Sequence, residues 1–140
     1  MKYQAAFFML CSMGLLAIAQ PVAAEMVVVA GAKSPLGSLN KDQLIEIYLS
    51  KVKNLSGVAV QPSLPASGAV REVFLSQVLG KSDAQARAYW AKLAFTGRGG
   101  PPREVSNQDE LLQQLQRDPG MLAVMEKSAN SELKVLFSLP

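Results

Sequence analysis

Ser67, Gly68, Ala69, Val70 and Arg71 bring together the residue types best suited to chemistry in this chain, and the chemistry they suit is recognition of a small oxyanion. Val70, Phe74 and Val78 recur at i, i+4 and i+8 with Val73 beside them, so the spacing predicts an amphipathic helix over 67–79, with Ser67 at or next to its N-cap. The first N–H groups of a helix lack intrahelical acceptors and carry the positive end of the macrodipole. A glycine there lets a ligand approach the backbone closely. Ser67 Oγ and the amides of Gly68, Ala69 and Val70 would donate to the anion, and Arg71, Arg98 or Arg103 would balance its charge. The plainer alternative is that the Ser-Gly pair only caps a helix, since serine is a preferred N-cap for structural reasons alone. Under that alternative Arg71 lies on a solvated helix face, and Arg98 and Arg103 solubilise a loop.

What the chain lacks excludes more chemistry than its motifs suggest. It has no histidine and a single cysteine, Cys11, which falls in an N-terminal apolar run. Thiol nucleophiles, Ser-His-Asp triads, disulfide scaffolds and the common zinc sites each lose an obligatory member. No metal or cofactor is expected. The acids Asp42, Glu46, Asp83, Asp109, Glu110 and Asp118 are scattered, mostly at helix starts or on polar helix faces, and nothing marks two of them as a converging catalytic pair. A non-enzyme is therefore expected, with no catalytic residues. The net charge of +3 contains no basic run interleaved with aromatics, which leaves nucleic-acid binding without support.

The elements that must position Ser67 follow from the apolar patterning. Lys2, the apolar run from Ala5 to Ala19 and the small residues Val22-Ala23-Ala24 have the order of a signal peptide, with cleavage expected before Glu25, export to the periplasm and no stable membrane insertion afterwards. Residues 25–140 then form one domain. Met26 to Ala30 (MVVVA) reads as a strand buried on both faces. Asn40 can cap a helix through Tyr48, with Leu44, Ile45, Ile47, Tyr48 and Leu49 on its buried side. Val58 to Gln61 reads as a short strand that stops at Pro62. After the 67–79 helix, Gly80 suits a C′ position and Ser82-Asp83 starts the next helix, whose Ala86, Tyr89, Trp90, Leu93 and Ala94 recur at helical spacing. Those aromatics read as core. Thr96 to Arg103 is a Gly- and Pro-rich loop, Asn107 begins a fourth helix ended by Pro119-Gly120, and MLAVM and KVLFSL supply the last strands. Strands alternating with helices argue for an α/β domain.

The order of LIEIYLSK, AVQPSLPASGAVREVFLSQVLGKS, AYWAKLAFTGRGGPPREV and DPGMLAVM resembles short exported relatives of the periplasmic phosphate-binding protein of ABC transporters. The resemblance covers nearly all of Met26 to Leu139. It implies a single three-layer domain, a mixed, mostly parallel sheet flanked by helices, like one lobe of a type II periplasmic binding protein, with the Ser67-Gly68 turn where larger relatives grip phosphate. Three positions depart from the pattern. Ser67-Gly68-Ala69 replaces Ser-Gly-Thr, Ser50 stands in place of a glycine, and Ala123-Val124-Met125 replaces a Gly-Tyr-Val-like phrase.

One lobe supplies only half of a closing site. Millimolar affinity needs about 4 kcal/mol and micromolar about 8, while a charge-assisted hydrogen bond nets about 1.5–3. An open half-site of this size reaches the millimolar range, and tighter capture needs a second surface from a homodimer or another periplasmic protein. Two functions are thus expected: a solute-binding-like module taking phosphate or a related oxyanion, or a ligand-free interaction or accessory module that keeps the lobe.

Overall fold

The computed structural model describes residues 25–127 and 132–139. The expected signal peptide and its cleavage site lie outside the described residues apart from Glu25 itself. Two strands, β1 (Met26–Ala30) and β6 (Met121–Glu126), form the middle of the sheet, since each is an apolar run buried along its length except at Glu126. A five-stranded sheet runs in the order β5-β4-β6-β1-β7, with β4 spanning Gln61–Pro65, β5 Arg103–Val105 and β7 Lys134–Leu139. Strand β4 is parallel to β5 and β6, whereas β1 is antiparallel to both β6 and β7, so four strands share one direction and β1 opposes them. A small hairpin, β2 (Asn54–Leu55) with β3 (Val58–Ala59), sits beside it.

Helices cover both faces and give the three layers. On one face lie α1 (Lys41–Tyr48), α2 (Ala69–Phe74, continued by a π-helical turn Leu75–Leu79) and α3 (Asp83–Phe95). Their Leu44, Tyr48, Phe74, Leu75, Val78 and Trp90 pack with Val28, Leu122 and Val124 of the sheet. Tyr48 and Phe74 meet at 4.6 Å between ring centroids. On the other face α4 (Gln108–Arg117) packs Leu111 and Leu115 against Val27, Val29 and Ala123. Each buried side chain of this kind removes enough apolar surface from water to contribute about 1.5–3 kcal/mol.

The helix starts follow the side chains that satisfy their first amides. Asn40 and Ser82 each form a reciprocal capping box with a glutamine three residues on, and Asn107 Oδ1 accepts from Asp109 N–H and Glu110 N–H. Trp90 is buried and donates Nε1–H to Tyr48 O at 2.9 Å, while Tyr89 donates its hydroxyl to Leu49 O at 3.0 Å, as expected of core aromatics. Ala94 departs from the expected buried face: it is exposed, and the next residue, Phe95, is 95% exposed.

Two strand expectations are corrected. The expected strand from Val58 to Gln61 is split: Val58 and Ala59 belong to the hairpin as β3, and a separate strand, β4, starts at Gln61 and passes through Pro62 to Pro65. Gln61 N–H donates to Gly120 O on the β6 side, and successive residues of a parallel strand alternate sides, so the missing N–H of Pro62 falls toward β5. Pairing with β5 begins only at Ser63 opposite Arg103, and no ladder bond is lost at Pro62. Arg103, expected in a loop, begins β5.

Candidate functional site

A cleft of about 510 Å³ opens outside the carboxyl ends of β4, β5 and β6, where ligands of α/β sheets are commonly held. Ser63 to Val70 form one wall, Val105 to Gln108 the other, and Leu111, Val124 and Met125 the apolar floor. Glu126 stands at its mouth. The walls are tied where they begin, through the Ala66 N–H to Val105 O bond of 3.0 Å.

The two helices that start at this cleft end differently. Asn107 closes the start of α4 by accepting from two of its amides, and Asp109 and Glu110 add carboxylates to that first turn. At α2 the N-cap is Gly68, one residue later than Ser67, and it has no side chain to close the turn. Gly68 has φ 101° and ψ 178°, backbone geometry that side-chain-bearing residues avoid, and a Cβ there would meet nothing within 4 Å. Backbone conformation, not crowding, therefore demands glycine. Glu72 N–H bonds to Gly68 O at 3.2 Å, while the amides of Ala69, Val70 and Arg71 find no acceptor among the described residues. Two of these donors, the amides of Ala69 and Val70, belong to residues of the cleft wall.

The arginines expected to balance an anion lie elsewhere. Arg71 is buried, not solvated: Nε donates to Asp83 Oδ1 at 2.7 Å, Nη1 donates to Pro65 O at 3.0 Å and lies 3.4 Å from Glu104 Oε1. Nη2 is buried and has no hydrogen-bond partner among the described residues. Arg87 joins the same network, 2.8 Å from Asp83 and 3.2 Å from Glu104. Hydrogen bonds from Arg87 and then Arg71 hold the Asp83 carboxyl below its ordinary range. Both guanidiniums are paired with these carboxylates, Arg71 buried and Arg87 half exposed. Arg98 sits in the turn after α3, and Arg103 lines a separate groove near Ser50 and Pro101-Pro102. Thus Ser67, Gly68, Ala69 and Val70 share the cleft, whereas Arg71, Arg98 and Arg103 do not line it, and the charged residue that does is Glu126.

Sequence reasoning missed Glu126 and the facing wall of Ser106, Asn107 and Gln108. The available signal was the strand–cap–helix order Val105 to Gln108, which mirrors Pro65 to Ala69. Burial raises the Tyr48 hydroxyl well above its usual range, and Tyr48 donates to Ser63 O at 2.9 Å under the cleft wall. It is a structural tie. Among the described residues no group of three metal-ligating side chains gathers, and no helix is long and apolar enough to cross a membrane.

No protein-family model matches this chain, and no curated protein matches it by sequence. Solved structures do match it in shape. An ABC-type phosphate transport receptor from Vibrio cholerae superposes with a TM-score of 0.60 at 16% identity, over 81% of this chain and 46% of the receptor. A protein from Clostridium perfringens, described as a phosphate ABC transporter substrate-binding protein and solved with bound phosphate, gives 0.60 at 11% identity over 81% and 45%. PstS from Borrelia burgdorferi gives 0.57 at 10% identity over 81% and 47%. The chain spans a little under half the length of each of these proteins, and its fold is that of a single lobe of a phosphate-transport substrate-binding protein.

Proposed function

We propose that this chain is an exported, non-enzymatic binding module that takes phosphate or a related oxyanion at the Ser67 to Val70 turn. The observation that carries this reading is the set of open amides at the start of α2, set in a cleft at the carboxyl ends of the strands. The fold shared with phosphate-transport proteins supports the same ligand class. Ser67 is exposed at the cleft wall, where its hydroxyl can add a donor. Among the described residues no cation lines the cleft, so binding by the lobe alone is expected in the millimolar range, worth about 4 kcal/mol. A second copy or another periplasmic protein would supply the positive charge and close the site.

Calorimetric titration of the protein with phosphate and with sulfate at low ionic strength tests this. Millimolar binding that weakens severalfold in Ser67→Ala is expected. Absence of any binding below about 10 mM overturns the reading for the isolated chain.

One observation favours a second reading, in which the lobe has lost its solute and docks a protein instead. Glu126 places a carboxylate at the mouth of a cleft without a cation, which opposes a free anion. A defined partner that binds equally well with and without phosphate, and loses affinity in Glu126→Lys, would select this reading over the first.

A further inference from the structure

A groove of about 300 Å³ lies at the opposite end of the parallel strands, before β4 and β5 begin, and its charge is the reverse of the cleft's. Lys53 and Arg103 line it, with Pro62, Pro101 and the Gly99-Gly100 backbone between them. Its lining residues fall within 47–62 and 99–103, and these two stretches, together with residues 91–98 that lead into the second, contain Lys51, Lys53, Lys92, Arg98 and Arg103 and not one carboxylate. None of the five cations lies within ion-pair distance of an acid among the described residues. Tertiary bonds hold the segments together: Ser50 Oγ donates to Gly100 O at 3.0 Å, and Trp90 and Tyr89, at the base of the second segment, bond to the carbonyls of Tyr48 and Leu49. The cationic surface is therefore fixed in place by the fold.

An exposed aromatic residue lies close to it along the chain. Phe95, 95% exposed, ends α3 only four residues before Gly99, within about 14 Å along even a fully extended chain. An isolated exposed phenylalanine next to unpaired cations is the composition of an interface, where aromatic anchors supply affinity and charge supplies orientation.

We propose that this groove docks an acidic segment of a partner protein, with glutamate or aspartate side chains on Lys53 and Arg103 and an apolar residue against Phe95 and the prolines. A free inorganic anion fits the groove poorly. Lys53 and Arg103 are exposed, so each gains little from a mobile ion in water. A peptide adds the apolar contact that a small anion lacks. The partner is thus defined by charge complementarity together with apolar side chains, and its site is independent of the Ser67 to Val70 cleft.

Fluorescence anisotropy with a labelled peptide of alternating glutamate and serine around two leucines tests the proposal, with its glutamine counterpart as control. Submillimolar binding at about 20 mM NaCl, at least tenfold weaker at about 150 mM, is expected. The glutamine peptide should not bind. Lys53→Glu with Arg103→Glu should weaken binding at least about tenfold, and Phe95→Ser severalfold. Lys127→Glu, a single charge reversal at the cleft end, should leave it unaltered. Urea midpoints identify any variant that is unfolded, and if Arg103→Glu disrupts β5, Lys51→Glu with Lys53→Glu replaces it. Binding that survives the reversals, or falls equally in Lys127→Glu, overturns the proposal. So does full displacement of the peptide by a few millimolar inorganic phosphate, or capture by phosphatidylglycerol vesicles without peptide binding.

Discussion

The two ends of the sheet handle positive charge in opposite ways. At the carboxyl ends of β4 and β5, Arg71 and Arg87 are tied to Asp83 and Glu104, and the cleft beside them is lined by open amides, the neutral polar side chains of Ser67, Ser106, Asn107 and Gln108, and Glu126. At the amino ends, Lys53 and Arg103 line a groove with no acid opposite them. The end whose geometry suits a ligand has paired its cations with carboxylates, and the end whose cations are free is built of prolines and a hairpin. Charge that holds a fold together is not available to a ligand, however close it lies in sequence. Arg71 is four residues from Ser67 and still serves the protein instead of the cleft.

The sharpest way to break this comparison is to remove Arg71. Its side chain is buried and bonded to Asp83 and Pro65 O, so Arg71→Met should destabilise the protein by about 2–4 kcal/mol, read as a lower urea midpoint. Arg98→Met and Arg103→Met should stay within about 0.5 kcal/mol, as exposed side chains without partners do. Equal effects at all three positions would mean that the cleft-end network has no special structural role.

Gly68→Ala comes next in size. Its φ of 101° would force an alanine into backbone strain of about 1–3 kcal/mol, although nothing occupies the space its methyl group would fill. Relaxation of that strain should turn the amides of Ala69 and Val70, so phosphate binding, where measured, should fall together with stability. A stable Gly68→Ala variant with intact binding would detach the cleft from the turn. Thermal denaturation and titration on the same sample distinguish the outcomes.

Much of the scaffold around these two ends could be read from local sequence, and the exceptions share a cause. β1 and most of β6 are continuous apolar runs, β7 is a largely apolar stretch, and Asn40, Ser82 and Asn107 announce their helices because caps act within three residues. β5 and the far half of β4 were hidden because each is a strand only by virtue of the other: Ser63 to Pro65 pair with Arg103 to Val105 across nearly forty residues of intervening chain. Arg71 was misplaced for the same reason, since its carboxylates come from α3 and β5. Glu126, at the last position of a legible strand, gave no local sign that it would face Ser67.

The acid side of the network offers a smaller test. Hydrogen bonds from Arg87 and Arg71 lower the Asp83 carboxyl below its ordinary value of 3.8, so the folded state holds the ionised form more firmly than the unfolded chain does. That contribution is complete above the unfolded value and is lost as pH falls through the lower folded one. The difference in urea midpoint between the parent and Asp83→Asn should be constant from pH 7 to about pH 5 and shrink below about pH 4. Because Asp83 is 44% exposed, added salt should reduce the difference at every pH. A gap that persists at low pH would assign the effect to packing instead of charge.

The least destabilising change addresses the groove end. Ser50 has φ 60°, in the left-handed region that disfavours side chains by about 1–2 kcal/mol and that glycine adopts freely. Ser50→Gly removes that strain but adds backbone freedom worth about 0.5–1 kcal/mol and loses the Ser50 Oγ bond to Gly100 O, worth about 0.5–1.5. The terms nearly cancel, and the urea midpoint should move by no more than about 1 kcal/mol equivalent. Gly99 lies against Ser50 so closely that a Cβ on it would stand 2.7 Å from Ser50 Cβ, and the lost contact should loosen the segment that carries Arg98 and Arg103. Acidic-peptide affinity should therefore fall in Ser50→Gly while phosphate binding at the cleft is unchanged. If the cleft responds and the groove does not, the two ends are coupled through β4 and their opposite treatment of charge is not a division of labour.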